Sequence, residues 1–171
     1  MEPIIVSLVG VLLSFLVVVR ALWPFKLVSN ENFESALIEA SKFIDRAKHE
    51  LKILSGTLYP DFYNAEPILK AFERAIARGV EIKILCGPEA DLGRVPKLRG
   101  WIDERKIEVR RLLEDYSPHF MVADGGQHIR LEERHPRGSQ KGTKAIIVYN
   151  SVELGPKYNL IFNRLWNSLE K

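Results

Sequence analysis

Residues 75–86 read Ala75-Ile76-Ala77-Arg78-Gly79-Val80-Glu81-Ile82-Lys83-Ile84-Leu85-Cys86. The first half closes a helix and the second half opens a strand. Upstream, Ile68, Leu69, Ala71, Phe72, Ala75 and Ile76 recur at three- and four-residue steps behind Pro67. That is the stripe of an amphipathic helix with proline in its first turn. Gly79 is the residue expected just past its end. From Val80 to Cys86 the pattern changes to the alternation of a strand. A helix passed to a strand through one glycine is a building unit of α/β folds.

Working outward, Leu51 to Leu54 form a short strand that ends at Ser55-Gly56. Before it, Phe33, Ala36, Leu37, Ala40, Phe43, Ile44 and Ala47 stripe a helix that starts near Asn30 to Asn32. After Cys86 the pattern predicts a helix over Pro96 to Arg105 and a strand over Ile107 to Leu113. His119 to Ala123 and His128 to Glu132 are two strands around Asp124-Gly125-Gly126, which reads as a hairpin. Ala145 to Tyr149 is a further strand. Leu160, Ile161, Leu165, Trp166 and Leu169 stripe a final helix. The order α-β-α-β-α-β-β-β-β-α predicts a mixed sheet covered by helices, and α/β is the expected class.

The N-terminus reads differently. From Pro3 to Val19 it carries no charge; Arg20 comes next, and Trp23, Pro24 and Phe25 follow. Seventeen residues is about the lower limit for a helix that crosses a bilayer core of ~30 Å. Arg20 can snorkel, Trp23 and Phe25 suit an interfacial belt, and Pro24 ends the helix. The expectation is a transmembrane anchor over residues 1–26, followed by one domain over residues 27–171. Two other readings compete. A cleaved signal peptide wants a basic start and a small-x-small cleavage site, and neither is present. A buried helix wants a polar face, which is also missing. Arg20 and Lys26 against Glu2 place the domain in the cytoplasm by the positive-inside tendency. A single-pass protein of the cell membrane, with the lipid bilayer as its partner, is thus expected.

The formal net charge is +3 over 171 residues, too mild to imply nucleic acid by itself. Arg94, Lys97, Arg99, Arg105, Lys106, Arg110 and Arg111 form a basic stretch broken by Asp103, Glu104 and Glu108. A solvated face is the plain reading, and attraction to anionic headgroups the alternative. No specific nucleic-acid binding is expected. Cys86 is the only cysteine, so there is no disulfide framework. His49, His119, His128 and His135 show no metal-ligand spacing, and neither metal nor cofactor is expected.

The segment that carries chemistry is Ser117-Pro118-His119-Phe120-Met121-Val122-Ala123-Asp124-Gly125. It resembles the phospholipase D superfamily, whose motif is His-x-Lys-x-x-x-x-Asp on a strand leading into a turn. Aligned on Phe120 to Gly125, Asp124 matches the family aspartate, His119 falls on the lysine position and Ser117 on the histidine position. Residues 75–85 look like the family's helix-to-strand joint, and Phe162-Asn163-Arg164-Leu165-Trp166 is similar to its closing helix. Phe120 to Gly125 and Ile129 to Glu133 also resemble the effector domain of archaeal sugar-sensing transcription regulators. The resemblance spans roughly Asn32 to Lys171. It implies a phospholipase-D-like half-domain, a mixed sheet flanked by helices.

In that family, one histidine attacks phosphorus, a second protonates the leaving oxygen, and lysines hold the phosphate. This chain has one motif copy, so the resemblance implies that a full site needs a homodimer meeting near Ser117 to Asp124, through the strand around Phe120 and Val122. Ser117 is a poor nucleophile without a partner base. The family's Gly-Ser-x-Asn is replaced, with Leu131 seven residues past Asp124. A shifted register makes His119 the motif histidine, at the cost of the lysine.

The expected function is therefore a membrane-anchored, non-catalytic phospholipase-D-like domain. It would bind a small anionic or sugar-like ligand, or a protein partner. The alternative is a phosphodiesterase or nuclease acting as a homodimer through His119, with Asp124 orienting motif side chains. The candidate ligand residues are Ser117, His119, Asp124, His128, Arg130 and Glu132. The last three share one face of a strand, which reads either as a solvated row or as a polar cleft wall beside Ser117 and His119.

Overall fold

The structure, a computed structural model, describes residues 32–132 and 145–169. Helix α1 (Phe33–Arg46) opens with a reciprocal cap: the Asn32 side chain accepts from the Ser35 backbone N–H, and the Ser35 side chain accepts from the Asn32 N–H. Such a box satisfies two of the amides that every helix start leaves without partners. Strand β1 (Glu50–Ser55) follows, then a one-turn helix α2 (Pro60–Tyr63) and helix α3 (Glu66–Ala77). Gly79, at φ +77°, takes the left-handed turn that carries α3 into β2 (Glu81–Cys86). Helix α4 (Pro96–Asp103) leads to β3 (Glu108–Arg111). The hairpin strands are β4 (Phe120–Ala123) and β5 (His128–Glu132), joined by a tight turn at Asp124–Gly126. Strand β6 (Ala145–Tyr149) and helix α5 (Leu154–Ser168) complete the described chain.

The six strands form one sheet in the order β3-β2-β1-β4-β5-β6. β1, β2 and β3 run parallel, whereas β4, β5 and β6 pair antiparallel from the other side of β1. The sheet sorts its side chains by parity. Leu51, Ile53, Ile82, Ile84, Met121, Ala123 and Ile147 pack under α1 to α4 with Phe43, Phe72 and Trp101. Leu54, Leu85, Phe120, Val122, Ile129 and Val148 pack under α5 with Phe162 and Trp166. Strands β1, β2, β4 and β6 therefore serve two cores, which explains their largely apolar character.

Two expectations are corrected here. A fold with a membrane-spanning helix is not what the structure describes: among the described residues no helix is long and apolar enough to cross a membrane. The expected anchor over residues 1–26 lies outside the described residues. The physical ground for it was thin, because an apolar run at the lower length limit is also what a helix buried within protein looks like. The second correction concerns the motif strand as a dimer surface. Phe120 and Val122 are buried under α5, with the Phe120 ring edge-on to Tyr158 at 4.9 Å between centroids. Helix α5 covers the face that self-association through that strand would need.

Candidate functional site

The hairpin register decides which sequence candidates meet. Phe120 pairs with Leu131 and Ala123 with His128. The next pair outward is His119 with Glu132, joined by a backbone bond from the Glu132 N–H to the His119 carbonyl at 3.0 Å. Cross-strand neighbours share a face, so His119, Arg130 and Glu132 all look toward the α1–α4 side. The His119 Nδ1 lies 3.9 Å from Glu132 Oε2. Arg130 Nη1 is ion-paired and hydrogen-bonded to Glu132 Oε1.

This group stands at the C-terminal ends of β1 and β2, beside the strand at which the sheet order turns back. Open α/β sheets bind ligands at such switch points. Two glycines follow the strand ends directly. A Cβ on Gly56 would lie 2.8 Å from Cε1 and Nε2 of His119, so the imidazole rests against bare backbone. The Asp115 Oδ1 is 3.5 Å from that position and equally close to the corresponding position on Gly87. The Gly87 N–H donates to the Gly56 carbonyl at 2.8 Å, drawing the two ends together. A side chain at Gly56 would expel His119 from its place.

The floor is built by α2. The Tyr63 phenol bonds the Ser55 side chain, and burial pushes its pKa well up, so it stays a neutral hydroxyl. Glu132 and Arg130 both act on it electrostatically. The Arg130 guanidinium sits over the Phe62 ring, 5.8 Å from its centroid. Arg130 is 0% exposed, and its Nε and Nη2 are buried without a hydrogen-bond partner among the described residues. Burying guanidinium N–H groups unpaired is costly. Outward from Arg130, the side chains of Glu132 and His119 are 23% and 38% exposed and form the rim.

The other sequence candidates lie elsewhere. Ser117 is exposed, two residues before His119, and its peptide bond to Pro118 is cis. Asp124 is at the opposite end of β4. Its carboxylate accepts from the backbone N–H groups of Lys48, His49 and Glu50, so it anchors the entry to β1 and touches no motif side chain. His128 is at that same far end, against Tyr149, with its Nδ1 accepting from the Asn150 N–H at 3.3 Å. Burial lowers its pKa. The solvated-row reading of His128, Arg130 and Glu132 is thus corrected: the first two are buried, and Arg130 and Glu132, but not His128, stand with His119. Ser55, Gly56, Tyr63, Gly87 and Asp115 were not among the sequence candidates. The signal for two of them was there, a glycine directly after each of two parallel strands, which marks close backbone approach.

Much of the basic stretch is engaged internally. Lys97 pairs with Glu73, Arg99 with Asp103 and Lys106 with Glu104. Arg110 donates to the Trp166 carbonyl, and Arg111 to the carbonyls of Pro88 and Ala90. Among the described residues no group of histidine, cysteine and carboxylate side chains could hold a metal ion.

No protein-family model and no curated protein matches the chain. Solved structures do. The archaeal chromatin protein TrmBL2, whose structure shows a novel mode of DNA binding, aligns with 98% of this chain at a TM-score of 0.62 and 16% identity. Polyphosphate kinase from Porphyromonas gingivalis aligns with 77% of it at a TM-score of 0.53 and 12% identity. This chain spans 63% of the first and 23% of the second. At these identities the likeness is one of fold. Two expectations about partners are nevertheless overturned. A fold shared with a DNA-binding chromatin protein is at odds with excluding nucleic acid, and no described helix is fit to cross a lipid bilayer, so neither expectation about partners is kept.

Proposed function

We propose that the chain is a phospholipase-D-like domain that has kept a binding site and given up phosphodiester cleavage. The ligand is a small anionic or sugar-like molecule held at the C-terminal ends of β1 and β2. The observation that carries this reading is the convergence of His119, Glu132 and Asp115 over the bare backbone of Gly56 and Gly87. Donors and acceptors of both signs on a glycine-lined strand end suit a polar ligand. The cleavage chemistry lacks its parts. Ser117 is exposed, and the histidine of the site has Glu132 rather than a second histidine opposite. The experiment is a titration of the full chain, followed by the backbone amides of Gly56, Gly87 and His119 in 1H–15N spectra, with a set of sugars and small anions. Saturable shifts confined to these amides are expected. Amides that stay unmoved throughout the set would refute the reading.

A second reading includes DNA. It rests on the likeness to TrmBL2 and on the net charge of +3. The internal pairing of the basic stretch counts against a contact surface there. Fluorescence anisotropy with a labelled duplex at low and at physiological salt decides it, since phosphate contacts weaken steeply as salt rises.

A further inference from the structure

We infer that Arg130 is the receptor for a carboxylate group of the ligand, gripped side-on along the Nε–Nη2 edge of its guanidinium. The inference rests on the binding-domain reading above and names the chemistry of the ligand's anchoring group. Three observations on this residue carry it.

The first is which nitrogens are free. Nη1 is taken by Glu132, whereas Nε and Nη2 are the buried atoms without partners among the described residues. Those two are adjacent and point the same way. Together they form one edge of a planar fork that matches the two oxygens of a carboxylate. A buried arginine that needed only a counter-ion would leave no such edge.

The second is that the fork is already held. Glu132 fixes one end of the guanidinium and the Phe62 ring lies under its plane. Little rotamer freedom remains to be lost on binding, which favours affinity.

The third is the surrounding charge. Arg130 already faces Glu132, and the Asp115 carboxylate lies across Gly56 from His119. With Glu132 already on the guanidinium, a bound monocarboxylate leaves one uncompensated negative charge at this buried pair and a phosphate dianion leaves two. Desolvation of the extra charge raises its cost further. The charge balance therefore favours a monocarboxylate over a phosphate. Nε and Nη2 themselves have almost no accessible surface, so a ligand reaches them only by displacing the partly exposed side chains of the rim, of which His119 is the more exposed.

Spectra that resolve arginine Nε–H groups test this directly on the intact chain. Sodium acetate, sodium pyruvate and sodium D-glucuronate are compared with D-glucose, inorganic phosphate and sodium chloride at matched ionic strength. The expected result is a saturable downfield shift of the Arg130 Nε–H with at least one carboxylate and none with glucose or chloride. Phosphate should bind about tenfold more weakly or worse, a difference of about 1.4 kcal/mol. Arg130→Lys keeps the charge without the fork and should weaken the carboxylate response by a similar factor. Saturable glucose or phosphate shifts at Gly56 and His119, with Arg130 Nε–H indifferent to every carboxylate, would overturn this inference and leave the binding-domain reading intact. Silence of all these resonances toward all six probes would overturn both. Equal carboxylate binding by a folded Arg130→Lys protein would also overturn it.

Discussion

The Asp124 Oδ1 lies 2.8 Å from the backbone nitrogen of His49 and accepts its N–H. The same carboxylate accepts from Lys48 and Glu50, so the residue that ends the motif strand holds the start of β1. It also sits at φ +53°, a conformation that aspartate and asparagine tolerate better than most residues. Asp124→Ala should cost about 2–3 kcal/mol in urea unfolding, the range for hydrogen bonds to a charged group plus some backbone strain. Asp124→Asn should lose less. Neither should shift the amides of Gly56 and His119, because the two ends of β4 are separate sites. A large response at those amides would restore an orienting role for Asp124.

Gly155, at the start of α5, meets Gly126 in the β4–β5 turn backbone to backbone. A Cβ on either would run into the main chain of the other. Gly79 offers the contrast, with a positive φ and open space around it. Gly79→Ala should therefore cost only left-handed strain, about 1–2 kcal/mol. Gly155→Ala should cost about 3 kcal/mol or more, since rigid backbone must move. Thermal or urea melts of the two proteins side by side check the order.

The His128 pKa is lowered from the ordinary 6.5 mainly by burial, with the Arg46 and Lys48 charges adding to that and Asp124 opposing it. The unfolded chain therefore takes up a proton at a pH where the folded chain does not. Stability is full above about 6.5 and falls as pH drops from there to the folded pKa. Protonation also removes the lone pair that accepts from Asn150. His128→Gln should flatten this part of the stability profile, measured by urea midpoint against pH. An unchanged slope would mean that another group titrates there.

Phosphodiesterase turnover should be at background with bis(p-nitrophenyl) phosphate, single-stranded DNA and phospholipid. A rate enhancement of several orders of magnitude needs an activated nucleophile and a charge clamp together. Turnover that disappears in His119→Ala would revive the enzyme reading and make Glu132 the partner of a catalytic histidine.

Much of the fold was legible because its strands are short apolar or alternating runs bounded by turn residues and its helices carry stripes. The predicted strands His128 to Glu132 and Ala145 to Tyr149 coincide with β5 and β6. Helix α2 was missed, since four residues are too few for a period to register. The pairing of His119 with Glu132 follows from the turn between them. The fate of Arg130 did not follow: strand alternation tells that three polar residues share a face, not that a helix from far upstream, Pro60–Tyr63, lies on it. For the same reason Asp115 and Tyr63 were out of reach, and so was the meeting of Gly56 with Gly87, although each glycine directly after a strand was itself visible. They are assembled by parallel pairing, which brings together segments with no local sequence relation. The misjudged membrane and nucleic-acid partners had a common cause. Apolar length and net charge describe bulk tendencies of a segment, and neither says what surface a folded chain presents.

Strand β1 sits at the centre of the sheet, yet its two neighbours come from distant parts of the chain. β2 arrives after one helix, and β4 only after the whole parallel half has been made. During synthesis, then, the first three strands and their helices can assemble while one long edge of β1 is still bare. At ordinary translation speeds residues 56–119 take on the order of ten seconds or less to appear. For that interval the nascent chain offers an unpaired, apolar strand edge to any neighbour on the polysome. Timely delivery of Phe120–Ala123 is what closes it, so the hairpin serves the growing chain as a seal before it serves the finished domain as a wall.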